Sequence, residues 1–108
     1  MLERRYQAGL IKRLRNRFEG CEILKNDSSY LPGVPDLILL WNDRWAMLEV
    51  KPNPPTSSDD FQPNQEWYIE RFNYMSYATC IYPENEAEVL DEIQRQFQTR
   101  RQARVSKR

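Results

Sequence analysis

Two short runs in this chain carry the residue types that phosphate chemistry uses. Pro35-Asp36 is followed, thirteen residues after the Asp, by Glu49-Val50-Lys51, so that a Pro-Asp dipeptide precedes a Glu-x-Lys tripeptide. Such a pairing arises in about 2% of shuffled chains of this composition, so the spacing carries information. Residues i and i+2 of a strand face the same way, so Glu49 and Lys51 project together while Val50 turns into the core. If Asn42 and Asp43 form a two-residue turn, Trp41 pairs with Arg44 and Asp36 falls opposite Glu49. Two carboxylates that close repel each other unless a divalent cation neutralises them, and hard oxygen ligands suit Mg²⁺ or Mn²⁺. One or two such ions would bind a scissile phosphate oxygen and acidify a bound water, with Lys51 orienting that water or offsetting negative charge. The plainer alternative is an ion pair between Glu49 and Lys51 at a strand end, with Asp36 as an ordinary cap after Pro35. Ionisable residues at the end of strands this apolar favour the chemical reading.

The elements that must hold these residues follow from periodicity. Leu2 to Phe18 reads as a helix, with Tyr6, Leu10, Leu14 and Phe18 at four-residue spacing and Gly20 as a stop. Glu3 falls within its apolar arc and is a candidate third metal ligand, directly or through water, unless it lies frayed and wet at the terminus. A short strand is expected over Cys21 to Asn26, then a Pro- and Gly-containing loop, then a hairpin of two central strands, Leu37 to Trp41 and Trp45 to Val50. A second helix is expected from about Pro63 to Tyr77, with Asp59 or Asp60 as cap and Trp67, Ile69, Phe72 and Met75 as core candidates. Thr79 to Tyr82 reads as a fourth strand. Glu84 to about Phe97 reads as a third helix, acidic in its first turn, with Val89, Leu90, Ile93 and Phe97 on its apolar side. The order αβββαβα implies an α/β fold, a small mixed sheet flanked by helices. Residues 99–108 are expected to form a basic, flexible tail after a domain spanning residues 1–98.

Composition narrows the function classes. A chain of 108 residues supports one small domain. It contains no His, which excludes histidine triads and imidazole-based metal sites. Its two cysteines, Cys21 and Cys80, suit buried free thiols in a reducing cytosol. The longest apolar run is too short to span a bilayer and no apolar leader follows Met1, so a soluble, cytoplasmic protein is expected. Net charge is zero, yet residues 1–20 carry six basic and two acidic groups, residues 95–108 six basic and none acidic, and residues 21–94 four basic and fourteen acidic. Basic ends around a carboxylate-rich centre suit a polyanion whose phosphates reach the centre through metal ions. Arg4, Arg5, Lys12, Arg13, Arg15, Arg100, Arg101 and Arg104 are the candidate phosphate contacts, sequence-tolerant and salt-sensitive.

With these residues in view, Glu3, Gly33-Val34-Pro35-Asp36, Glu49-Val50-Lys51 and then Gln65 resemble the virus-type replication-repair nuclease (VRR-NUC) domain of the PD-(D/E)xK superfamily. The resemblance runs in order from about Glu3 to Leu90. It implies a restriction-endonuclease-like core with Asp36, Glu49, Lys51, Glu3 and Gln65 in the catalytic centre. Metal would be held by Asp36, Glu49, Glu3 and the backbone carbonyl of Val50. Standalone domains of this size resemble minimal phage forms, which implies a homodimer that cuts branched DNA such as four-way junctions. An endonuclease I-type resolvase, a flap or nick nuclease, and a non-catalytic nuclease-fold DNA-binding subunit are the alternatives. The linker Pro52 to Asp60 departs from the family pattern, being rich in Pro, Ser and Asp instead of Gly and basic residues.

Overall fold

The structure is a computed structural model that describes residues 2–27 and 29–98. The tail residues Arg100, Arg101 and Arg104 lie outside the described residues. Seven elements follow in the expected order: α1 Glu3–Arg17, β1 Glu22–Lys25, β2 Leu37–Trp41, β3 Arg44–Val50, α2 Gln65–Met75, β4 Tyr77–Ile81 and α3 Glu86–Gln98. They build a small mixed α/β domain around one four-stranded sheet of order β1-β2-β3-β4. The β1, β2 and β3 strands form an antiparallel meander, and β4 returns parallel to β3 after α2. The hairpin turn is the two-residue one, with Asn42 left-handed at φ 58° and Trp41 paired with Arg44. Asn tolerates that conformation better than most side chains, which fixes the register the site depends on.

The sheet has two unequal faces. Leu37, Leu39, Ala46, Leu48, Val50 and Ile81 turn to one side and are buried against Tyr6, Leu10, Leu14 and Phe18 of the α1 stripe and Val89, Leu90, Ile93 and Phe97 of α3. An aromatic trio closes one end of this core: Phe18 meets Trp41 edge-on at 5.2 Å and Trp41 stacks on Phe97 at 6.2 Å. The α1 and α3 helices are also joined by charge. Glu86 accepts hydrogen bonds from Tyr6 Oη (2.8 Å) and from Arg13 Nε (2.5 Å) and Nη2 (2.9 Å). The opposite face is covered over β3 and β4 by α2, which contributes no buried residue.

Several boundaries differ from the sequence expectation. The second helix begins at Gln65 instead of Pro63, and Asn64 precedes it in a left-handed conformation at φ 73° without a side-chain cap bond. Asp59 and Asp60 do not cap it. They lie in a separate 3₁₀ turn, Ser58–Asp60, where the Asp60 carboxylate is taken up by the amides of Thr56 and Ser57. Trp67 and Met75 are 58% and 49% exposed instead of core, and Ile69 and Phe72 are only half-buried. Trp67 lies about 160° around the helix from Ile69, so the four candidates never shared one stripe. Tyr77, expected in that helix, opens β4 and packs on the main core. The third helix starts at Glu86 because Pro83–Asn85 form a 3₁₀ turn before it. Cys21 and Cys80 are free thiols, as expected, Cys21 buried and Cys80 half-buried.

Candidate functional site

At the ends of β2 and β3, the face bearing α2 contains a cavity of about 270 Å³ lined by Glu3, Pro32, Gly33, Val34, Asp36, Glu49, Lys51, Gln62 and Gln65. All five side chains singled out from the sequence meet there. The hairpin register brings this about: Leu37 pairs with Leu48, so the residues one step further out are Asp36 and Glu49. Pro35 is fully buried and its carbonyl accepts from Asn26 Nδ2 at 2.5 Å, while Asn26 N–H donates to the Asp36 carbonyl at 2.9 Å. The first strand thus anchors the Pro-Asp step, a role of Asn26 that no sequence signal announced.

Glu49 is 2% exposed, the only buried charged residue among those described. Its Oε2 accepts from Gln65 Nε2 at 2.9 Å and lies 3.6 Å from Lys51 Nζ. Its Oε1 is buried and has no hydrogen-bond donor. Burial, then the neighbouring Asp36 carboxylate, push the Glu49 carboxyl up to about 8 against the opposing effect of Lys51. Asp36 Oδ2 accepts from the Val50 N–H at 2.9 Å, and burial raises its carboxyl too, despite that bond and Lys51. A dry pocket disfavours the charged form of each carboxyl, and a like charge alongside adds to the effect at Glu49. Val50 itself buries its side chain in the main core, as the alternation requires.

Lys51 Nζ donates to Gln65 Oε1 and to the Asp60 carbonyl, both at 3.2 Å, and lies 5.2 Å from the Phe61 ring centroid. Gln65 therefore bridges the two charges, giving its amide N–H to Glu49 and its oxygen to Lys51, while that oxygen also accepts from Gln62 N–H at 2.8 Å. Gly33 lets the preceding loop close over this corner. Its φ is +95°, and a Cβ there would lie 2.7 Å from the Pro63 carbonyl oxygen and 2.8 Å from Asn64 Cβ.

Two expectations are modified. Glu3 lines the cavity but is exposed instead of buried on the helix stripe, standing at the rim; burial raises its carboxyl, as does Asp36, and Lys51 lowers it. Among the described residues, no group of three or more His, Cys, Asp or Glu side chains gathers closely enough to hold a metal ion by itself. The arrangement offers two converging carboxylates with Glu3 as an outer group. Of the candidate phosphate contacts on α1, Arg4, Arg5, Lys12 and Arg15 are exposed, whereas Arg13 is committed to its bidentate bond with Glu86.

The donor set fits a hard divalent cation. Two carboxylates face one polar cavity, and the buried Glu49 Oε1 lacks any partner, an acceptor that a cation satisfies and a structural ion pair leaves unsatisfied. Sequence reasoning missed Asn26, Asp60, Phe61 and Gln62 as site residues; they act here through hydrogen bonds in which one partner is a backbone group, or through a ring face, which residue type alone does not reveal. No helix among the described residues is long and apolar enough to cross a membrane. Compared with protein-family models, curated proteins and solved structures, the chain matches none.

Proposed function

We propose that this chain is a Mg²⁺- or Mn²⁺-dependent, structure-selective DNA endonuclease of the VRR-NUC kind, with its αβββαβα order serving as a restriction-endonuclease-like core. The observation that carries the reading is the convergence of Asp36 and Glu49 in one cavity with Lys51 and Gln65, with one buried Glu49 oxygen lacking a donor. Asp36 and Glu49, with the Val50 carbonyl and Glu3 through water, are the groups that would hold the ion. When bound, the ion supplies Lewis-acid stabilisation of phosphate charge and a more acidic water. The chain's own residues do the rest. Gln65 holds Glu49 Oε2 and Lys51 Nζ in fixed relation, Asp36 is oriented by the Val50 amide, and the Lys51 ammonium stands within reach of a phosphate oxygen or attacking water. The complete Asp36, Glu49 and Lys51 set speaks against a non-catalytic DNA-binding subunit, and a homodimer would place two such sites on a two-fold branched substrate.

The test is a cleavage panel of end-labelled four-way junction, flap, nicked duplex and linear duplex DNA with Mg²⁺, Mn²⁺, Ca²⁺ or EDTA. Cleavage in Mg²⁺ or Mn²⁺, binding without turnover in Ca²⁺ and a preference for the junction are expected. Undiminished cleavage in EDTA would overturn the metal-dependent reading, and preference for a flap or nick would favour the alternative substrate class.

A further inference from the structure

The segment between Lys51 and Gln65 is the part of the chain least like a DNA-contacting loop, and its geometry gives it another task. Pro52, Pro54 and Pro55 stiffen its first half. Its second half is folded by a single carboxylate oxygen: Asp60 Oδ2 accepts from Thr56 N–H at 2.5 Å, Thr56 Oγ1 at 3.0 Å and Ser57 N–H at 3.3 Å, and Ser57 Oγ in turn accepts from the Asp59 N–H at 3.2 Å. The turn so made directs the Asp60 carbonyl onto Lys51 Nζ at 3.2 Å and sets the Phe61 ring 5.2 Å from it. Gln65 Oε1 supplies a further acceptor at 3.2 Å, and the Lys51 side chain is only 15% exposed.

We propose that Asp60 and Phe61 are positioning residues for Lys51, and that the loop from 52 to 61 is a holder for its ammonium. An ammonium has three N–H donors on a flexible stem, and two are engaged before any substrate arrives. The third is left for the cavity side, where Glu49 Oε2 lies at 3.6 Å. The holder restricts the stem to one arrangement and offers the charge a π face. Such advance ordering raises the rate of a step that needs the ammonium in one place, since a displacement of about 1 Å can cost roughly 100-fold. The inference rests on the nuclease reading for its consequence in catalysis and on the loop geometry alone for the holding of Lys51.

The intact chain has four lysines, Lys12, Lys25, Lys51 and Lys107, so ¹H–¹⁵N spectra of the ammonium groups are sparse and Lys51→Arg assigns the signal. In the metal-free protein a slowly exchanging Lys51 signal is expected. It should be lost in Asp60→Ala and Phe61→Leu and retained in Asp60→Asn and Phe61→Tyr, because the Asn oxygen can still accept from the Thr56 and Ser57 amides and Tyr keeps the ring. On four-way junction DNA in Mg²⁺, kcat should fall roughly 10- to 100-fold in the first two variants and recover in the second two. The dissociation constant in Ca²⁺ should stay within about twofold throughout, because neither residue carries a positive charge that could neutralise a phosphate. A Lys51 signal unchanged by Asp60→Ala and Phe61→Leu, or an unchanged kcat in an active enzyme, would overturn the proposal. If the intact protein cleaves nothing while the signal behaves as expected, the holder stands and the nuclease reading fails.

Discussion

At the scale of single residues, the pair Asp36 and Glu49 decides between chemistry and structure. Glu49→Gln should reduce cleavage by about a thousandfold or more, as should Asp36→Asn. Stability separates this outcome from a mere loss of fold. A Gln at 49 keeps an oxygen for Gln65 Nε2 and removes a buried negative charge that the Asp36 carboxylate repels, so the metal-free melting temperature should be unchanged or raised. Adding Mn²⁺ should stabilise the intact protein, by about 2.7 kcal/mol at a hundred times its dissociation constant, and leave Glu49→Gln unmoved. A variant that melts lower without metal would mark Glu49 as the partner of a structural ion pair with Lys51. The opposition of the two carboxylates is legible in the sequence because a two-residue turn leaves one register and alternation does the rest. Gln65 is not legible from residue type. A polar residue in the first turn of a helix is ordinary, and only the resemblance singles it out.

Elements hold the site through two contacts that periodicity does not reveal. Gly33 passes against Pro63 and Asn64 in a conformation that side chains rarely adopt, so Gly33→Ala should cost about 2–4 kcal/mol and lower cleavage by displacing Gln65, measured by denaturant unfolding and single-turnover kinetics. The other contact ties α1 to α3. Burial alone would raise the Glu86 carboxyl, but its bonds from Arg13 and Tyr6 outweigh burial and hold it below the ordinary range. A depressed carboxyl contributes stability above the pKa it has when unfolded and loses that contribution as pH falls through its folded value. Glu86→Ala should therefore cost about 1–3 kcal/mol at pH 7, and its melting temperature should approach that of the intact protein as pH falls below the ordinary carboxylate range. The α1 and α3 stripes are readable in the sequence because each buries one continuous face. Periodicity misplaces α2 at both ends and in its core, since that helix shields half a sheet face and carries aromatic residues on several sides.

For the whole molecule, charge and burial are distributed unevenly, and each asymmetry has a measurable result. Residues 99–108 hold five of the sixteen basic groups, and the buried residues of α3 all precede them. Deleting them should leave the melting temperature within about 2 °C while weakening DNA binding at low salt, with the slope of log K on log salt becoming shallower by about 0.9 for each phosphate that the tail neutralises. An unchanged slope would show that the tail neutralises none. Burial asymmetry reaches further. The sheet side packed by α1 and α3 holds nearly all the fully buried side chains, whereas α2 holds none. Amide hydrogens in α2 should accordingly exchange through a local opening well below the free energy of global unfolding, ahead of those in β3. Because Gln65 begins that helix and bonds to Glu49, each opening separates the amide from the buried carboxylate and uncovers it to solvent. On the metal-dependent reading proposed above, this helix would be the route by which an ion enters and leaves the deepest charge.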